Sequence, residues 1–165
     1  MNIIYISGVE LGLYALKGII DSKILNNKDV RIAGIFTLPK MKSHTTSGFA
    51  SFSEIANELN TRLFEVFSIK ERTVIEQIRL LTPDYIFIIG WSELATTQLL
   101  DIPKEKKNLP NRHGFRYGCI GMHPTLLPLG RGRAPIPWAI IKGYTESGVT
   151  MFYLEEEADS GDIID

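Results

Sequence analysis

At 165 residues, with 44% hydrophobic and 22% charged side chains, the chain holds enough apolar material for one domain with a core and is too short for two. Its formal net charge of −1 supplies no overall field for nucleic acid or an anionic membrane, and its single cysteine, Cys119, excludes an internal disulfide. The start Asn2-Ile3-Ile4-Tyr5-Ile6 has no basic leader, and no apolar run approaches the ~18 to 20 residues that cross a bilayer, so a cytoplasmic protein is expected. Clustered ligands for zinc are lacking, so no metal is expected.

Asn2 to Ile6 reads as a buried strand opening at Ser7-Gly8. Gly8-Val9-Glu10-Leu11-Gly12 matches neither of the glycine-rich phosphate patterns and reads as a tight turn into a helix. Leu11, Ala15, Leu16, Ile19 and Ile20 give that helix one apolar face. Val30 to Phe36 is a second strand. Thr37 to Ser53 is a polar loop with Lys40, Lys42 and His44, either a solvated connection or a contact for a phosphorylated substrate. Ser53 is placed to cap the next helix, and Leu63 to Phe67 is a short strand. Glu71 to Leu81 carries Val74, Ile75, Ile78 and Leu81 on one side of a helix that Thr82-Pro83-Asp84 stops.

Tyr85 to Ile89 is apolar on both faces, as a central strand between two helical layers must be. It ends in Gly90-Trp91-Ser92-Glu93-Leu94, a turn into another helix. Ligands of open α/β sheets sit beyond the carboxyl ends of strands, so this turn is placed to line a site. Trp91 either covers a ring system there or is a core aromatic exposed at one edge. Lys104 to Arg116 is polar and basic, most simply a solvated excursion. Gly118 to Met122 is a strand in which Cys119 is a buried thiol. Pro135 and Pro137 suit the first turn of a helix whose Trp138, Ile140 and Ile141 are expected to pack inward before Gly143. Val149 to Leu154 is a further strand, Glu155 to Glu157 a solvated turn, and Ile163-Ile164 the start of one more strand. Alternating strands and helices imply an α/β architecture, an open and mostly parallel sheet with helices on both faces.

The densest restraint lies around His123. Four of the eight prolines, Pro124, Pro128, Pro135 and Pro137, fall within fourteen residues of one another. Each fixes its own φ and biases its predecessor toward extended geometry. A histidine delivered by a strand into so restrained a loop is held in one orientation, as acid-base chemistry requires. The alternative is a rigid connection in which His123 merely satisfies a local hydrogen bond.

His123-Pro124-Thr125-Leu126-Leu127-Pro128 with Arg131-Gly132-Arg133-Ala134-Pro135 closely resembles the formyltransferase family. Gly90-Trp91-Ser92-Glu93-Leu94, Gly148-Val149-Thr150 and Asp159-Ser160-Gly161-Asp162-Ile163 agree in order and spacing. The resemblance covers most of the chain and is weakest over Thr37 to Ser53. It implies a Rossmann-like catalytic domain spanning 1–165 and, because the family's domain continues beyond the aspartate loop, a chain that is expected to be truncated at its C-terminus. It further implies formyl transfer from 10-formyltetrahydrofolate to an amine. On this resemblance His123 and Asp159 are the catalytic pair, and Gly90, Trp91, Ser92, Glu93, Leu94 and Asp159 lie near the folate. Asp162 is the weaker acidic candidate.

Family members usually carry an asparagine two residues before the histidine, where this chain has Gly121. Its amide donates to the oxyanion that develops as the amine attacks, and losing one such donor costs roughly 10² to 10³ in rate elsewhere. Either a backbone N–H, such as that of Gly121, Thr125 or water replaces it, or activity is reduced or altered. Arg131 and Arg133 either approach a substrate phosphate or anchor the loop. A small amine, such as an amino sugar on a nucleotide, is favoured as partner over transfer RNA, and no membrane is expected. The alternatives are a non-catalytic folate- or nucleotide-binding member, a hydrolase of the formyl donor, and an enzyme resembling methionyl-tRNA formyltransferase.

Overall fold

The structure is a computed structural model and describes residues 1–103 and 118–165; the basic segment Lys104 to Arg116 lies outside the described residues. Six strands form one sheet: β1 (Asn2–Ile6), β2 (Arg31–Thr37), β3 (Leu63–Glu65), β4 (Tyr85–Ile89), β5 (Cys119–His123) and β6 (Thr150–Tyr153). Their spatial order is β3-β2-β1-β4-β5-β6, parallel throughout except for β6, which runs antiparallel to β5 at the edge. The order reverses between β1 and β4, as in doubly wound nucleotide-binding sheets.

Two-residue alternation sorts the strand side chains into two cores. Ile3 and Tyr5 of β1 face α1 (Glu10–Asp21) and α2 (Ser53–Glu58), packing with Leu16, Ile35, Phe52 and Ile55. Ile4 and Ile6 point the other way, toward α3 (Arg72–Leu80) and α4 (Thr97–Leu100), meeting Val74, Ile78, Ile86, Ile88 and Leu99. Helices therefore cover both faces, as β4's uninterrupted apolar run requires. Cys119 is buried in the second core. Buried Tyr5 donates its hydroxyl to the Gly12 carbonyl at 2.6 Å, linking the sheet to the first turn of α1, and burial pushes its phenol above the ordinary tyrosine range.

Several expectations need correction. Ser53 is the first residue of α2 and not its cap; Phe52 holds that place, with no side-chain cap, because buried Phe52 is anchored in the core just before the helix starts. The turn after β4 does not run straight into a helix, since α4 begins only at Thr97, after an irregular stretch held by side-chain bonds described below. The loop after β2 is pinned as well as solvated. Glu10 N–H donates to Gly48 O at 2.7 Å and Ala50 N–H to Gly8 O at 3.0 Å, while Val9 bridges Phe49.

The largest difference concerns α5 (Pro135–Ile141). Trp138, Ile140 and Ile141 are 53%, 75% and 72% exposed, and no residue of α5 is buried. The reason is topological. A helix joining parallel strands crosses over the sheet and buries a face on it. Because β6 is antiparallel to β5, the β5–β6 connection needs no such crossover, and α5 lies off the sheet. After Asp159 the chain returns to β6, with Tyr153 N–H donating to Asp162 O at 2.9 Å, Ile164 N–H to Met151 O at 2.8 Å, and an antiparallel bridge between Phe152 and Ile163. The strand expected at Ile163 thus begins as the second leg of a hairpin.

Candidate active site

β4 and β5 end side by side, Ile89 paired with Met122, and their carboxyl ends open into a cleft of about 410 Å³. One wall is the turn Gly90 to Leu94, a second the loop Gly132 to Pro135, and a third Leu154 with Glu155 and Ala158-Asp159. Both His123 and Asp159 lie in it. His123 is the last residue of β5, 7% exposed, and its Nδ1 stands 3.6 Å from Asp159 Oδ2. That separation is an ion-pair distance, longer than a hydrogen bond. The other ring nitrogen, Nε2, lies 2.9 Å from the Gly130 carbonyl, which as an acceptor calls for a proton on Nε2. In the neutral ring Nδ1 is then a lone pair aimed at the carboxylate side of the cleft. A ring carrying two protons has an oxygen acceptor on each side.

Asp159 is fixed independently. Its Oδ2 accepts the Gly132 N–H at 2.8 Å, and its backbone has φ +52°, a left-handed conformation that aspartate and asparagine tolerate better than most residues. The loop after His123 thus holds both partners, gripping the imidazole through Gly130 and the carboxylate through Gly132. Sequence reasoning did not find these two backbone groups. The available signal was the pair of glycines interleaved with Arg131 and Arg133, which free the peptide groups between them to turn inward.

The turn after β4 is organised by Glu93. Its Oε1 accepts the Ser68 hydroxyl at 2.8 Å, and its Oε2 accepts Ile69 N–H at 2.9 Å and Trp91 Nε1–H at 3.1 Å. Partial burial raises the Glu93 carboxyl; the hydrogen bonds from Trp91, Ser68 and Ile69, with the charge of Lys70, outweigh it and hold it below the ordinary glutamate range. Trp91 is half-buried against the α3–α4 core, and its remaining surface lines the cleft. Ser92 and Leu94 are exposed along the same wall. Gly90, at φ +65°, leaves no room for a side chain, because a Cβ would fall 2.3 Å from Val9 Cγ2.

Gly121 also lines the cleft, one turn of the pleat below His123. A Cβ there would lie 2.7 Å from Leu154 Cδ2 and 3.2 Å from Phe152 Cε1. Apolar atoms at the end of β6 therefore crowd the position that the first side-chain carbon of any other residue would take. Thr125 and Arg131 are not in this cleft. They line a second cavity on the far side of the loop, where Thr125 is buried with Oγ1 unpartnered among the described residues and Arg131 is exposed. Asp162 is exposed at the hairpin and does not line the cleft either.

The sequence profile of the formyl transferase family matches residues 1–165. This chain belongs to the formyl transferase family. It is 31% identical over 166 residues to the methionyl-tRNA formyltransferase of Clostridioides difficile (strain 630), covering 99% of this chain and 48% of that protein. This formyl transferase chain thus spans about half the length of the curated relatives it matches. The crystal structure of phosphoribosylglycinamide formyltransferase from Bacillus halodurans superposes with a TM-score of 0.74 at 21% identity, covering 100% of this chain and 77% of that one. A sugar N-formyltransferase from a Shewanella species superposes with a TM-score of 0.63 at 18% identity, over 99% and 55% of the two chains. These superpositions establish the Rossmann-like formyltransferase fold. No helix among the described residues is long and apolar enough to cross a membrane.

Proposed function

We propose that this domain transfers a formyl group from 10-formyltetrahydrofolate to a primary amine of a small substrate, with an amino sugar carried on a nucleotide as the favoured acceptor. The observation that carries the reading is the convergence of His123 and Asp159, thirty-six positions apart in the chain, within 3.6 Å at the open end of β5. The cleft suits the folate end of the donor. At about 410 Å³ it falls within the range of small-ligand sites, with Trp91, Leu94 and Leu154 as apolar walls and the peptide groups of the Gly90–Leu94 turn along one side. When bound there, the donor supplies the formyl carbon.

The chain's own residues handle the proton. A primary amine is mostly protonated near neutral pH and must lose a proton to become a nucleophile. His123 Nδ1, lacking a proton while Nε2 is bonded to Gly130, is the base that receives it. Asp159 then faces the imidazolium and, held by Gly132, keeps the ring in register while the proton His123 took from the amine passes to the donor's leaving nitrogen, as that nitrogen's bond to the formyl carbon breaks and the new amide bond remains. The half-buried Trp91 and Leu154 keep water from the reacting side of the cleft.

Transfer is tested by following tetrahydrofolate release with a panel of acceptors: nucleotide-linked amino sugars, glycinamide ribonucleotide and aminoacylated transfer RNA. Release with one small amine, lowered by on the order of 10² to 10⁴ in His123→Ala, is the expected result. Asp159→Asn keeps the left-handed backbone while removing the charge, and is expected to lose on the order of 10²-fold in kcat. Undiminished transfer by His123→Ala overturns the assignment. A second reading is favoured by the apolar filling beside Gly121: a member that binds folate without turning it over. Tight folate binding with no release on any acceptor selects it. Formate release without an amine selects donor hydrolysis instead.

A further inference from the structure

Resting on that reading, we propose that Glu93 is a positioning residue and not a ligand contact. Its carboxylate fixes the Trp91 indole as a rigid wall against which the folate ring of the donor binds. Gly90 to Thr96 belongs to neither a helix nor a strand, so no regular backbone ladder sets this side of the cleft. Gly90 pins its start, where φ +65° and the contact with Val9 admit no side chain. Beyond Gly90 the shape depends on side-chain bonds, and Glu93 makes them.

A carboxylate offers about four lone-pair positions. Three are taken here, by the Ser68 hydroxyl at 2.8 Å, the Ile69 N–H at 2.9 Å and the Trp91 Nε1–H at 3.1 Å. A group so occupied has little left for a ligand, although it stands on the cleft wall. Two of its three donors come from outside the cleft. Ile69 is fully buried in the core beneath α3 and α4, so its N–H is a fixed point. Ser68 precedes it, half-buried on the β3–α3 connection.

From that anchor the carboxylate reaches the one polar atom of the indole, and the ring cannot change rotamer without breaking a charge-assisted bond. Trp91 also packs on the core that contains Ile69. The ring is thus held at two places, and the donor meets a surface already ordered. Without the carboxylate the ligand itself would have to immobilise the indole, which weakens binding about three- to tenfold. Ser68, which does not line the cleft, is thereby made part of donor recognition.

The first readout is the Trp91 indole N–H, followed by nuclear magnetic resonance in isotope-labelled protein without ligand. The chain has two tryptophans, and exposed Trp138 is the internal control. The Trp91 N–H should exchange with water more slowly than that of Trp138, and Glu93→Ala should abolish the difference. Glu93→Gln is the conservative variant: its carbonyl oxygen still accepts from Ile69 and Trp91, and its amide donates to the Ser68 oxygen. Calorimetric titration uses 5-formyltetrahydrofolate, a stable folate, as the probe. Binding should weaken about three- to tenfold in Glu93→Ala and by less in Ser68→Ala, and stay within about twofold of native in Glu93→Gln. In Trp91→Phe, whose ring has no N–H, adding Glu93→Ala should cost less than about twofold, because both changes break one bond. With an acceptor present, the loss should fall on the KM for the donor more than on kcat. Equal losses in Glu93→Gln and Glu93→Ala would make Glu93 a ligand contact and overturn the proposal. So would an unaltered Trp91 N–H in Glu93→Ala, additive losses in the cycle with Trp91→Phe, or no saturable folate binding by the native chain. Folate binding that follows the expected series with no formyl transfer to any amine keeps the positioning role and rejects the reaction. Formyl transfer with the donor KM unchanged in Glu93→Ala keeps the reaction and rejects the positioning role.

Discussion

Single residues decide how this cleft differs from the pattern it resembles. At Gly121 the difference is steric before it is chemical, because Leu154 and Phe152 side-chain atoms stand against the position a Cβ would take. Gly121→Asn alone should therefore lower stability by about 1 to 3 kcal/mol, the usual range for overfilling a packed site. Adding Leu154→Ala should recover part of that loss, since the nearest clash is with a leucine methyl. Thermal unfolding of the two single variants and the double variant forms a cycle, and strictly additive effects would show that the two positions do not share the space. The cycle also has a kinetic arm: if the amide acts as an oxyanion donor, the double variant gains in kcat.

His123 was legible in the sequence because its neighbours are so constrained, and Asp159 because the resemblance pairs it with His123. Gly130 and Gly132 were not legible as partners. Backbone groups carry no residue code, and only the folded loop turns one carbonyl and one N–H toward opposite sides of the ring pair. The same limit applies to Glu93. A carboxylate in a glycine turn looks available for a ligand, and only coordinates reveal that Ser68, Ile69 and Trp91 have already claimed it.

Elements bring the next level of control. Through Glu93 the β3–α3 connection and the β4 exit behave as one piece, so the Gly90–Leu94 wall is braced from a neighbouring loop. Because the folded carboxyl titrates below its unfolded value, its contribution is fully present above the unfolded glutamate range. It is lost as pH falls through the lower folded value. Glu93→Gln should lower stability by about 1 kcal/mol at pH 7, a figure kept small by solvent screening. It should also flatten the acid limb of stability against pH. If the native and variant curves run parallel below pH 5, Glu93 is not the brace. Strands and the helices that cross between parallel neighbours were readable from periodicity alone, since burial on a sheet face imposes it. α5 was misread for a related reason: Trp138, Ile140 and Ile141 look like a core stripe, but whether a stripe has a sheet beneath it depends on the direction of the following strand. Nothing in Val149 to Leu154 distinguishes parallel from antiparallel pairing.

For the whole molecule, the two cores meet across β1 and β4, whereas the His123–Asp159 pair sits toward the β6 margin. Structural cohesion and the proposed chemistry are thus drawn from different regions of one sheet. Backbone bonds at a sheet margin open at lower free-energy cost than those of central strands. Activity should consequently be lost on mild heating before the β1–β4 core melts. Initial rates at stepped temperatures, set beside near-ultraviolet circular dichroism and amide exchange of β1, would reveal the gap, and coincident transitions would exclude it.

Asp159 rides at the bend of a hairpin whose second leg is held by a few main-chain bonds from Met151 and Tyr153. A carboxylate mounted in this way moves as the fastening loosens. If His123 and Asp159 act as proposed, slackening of the Asp162–Asp165 leg should lengthen the gap to the imidazole, and that short run of backbone would then set the tension on the proton path without lining either cavity.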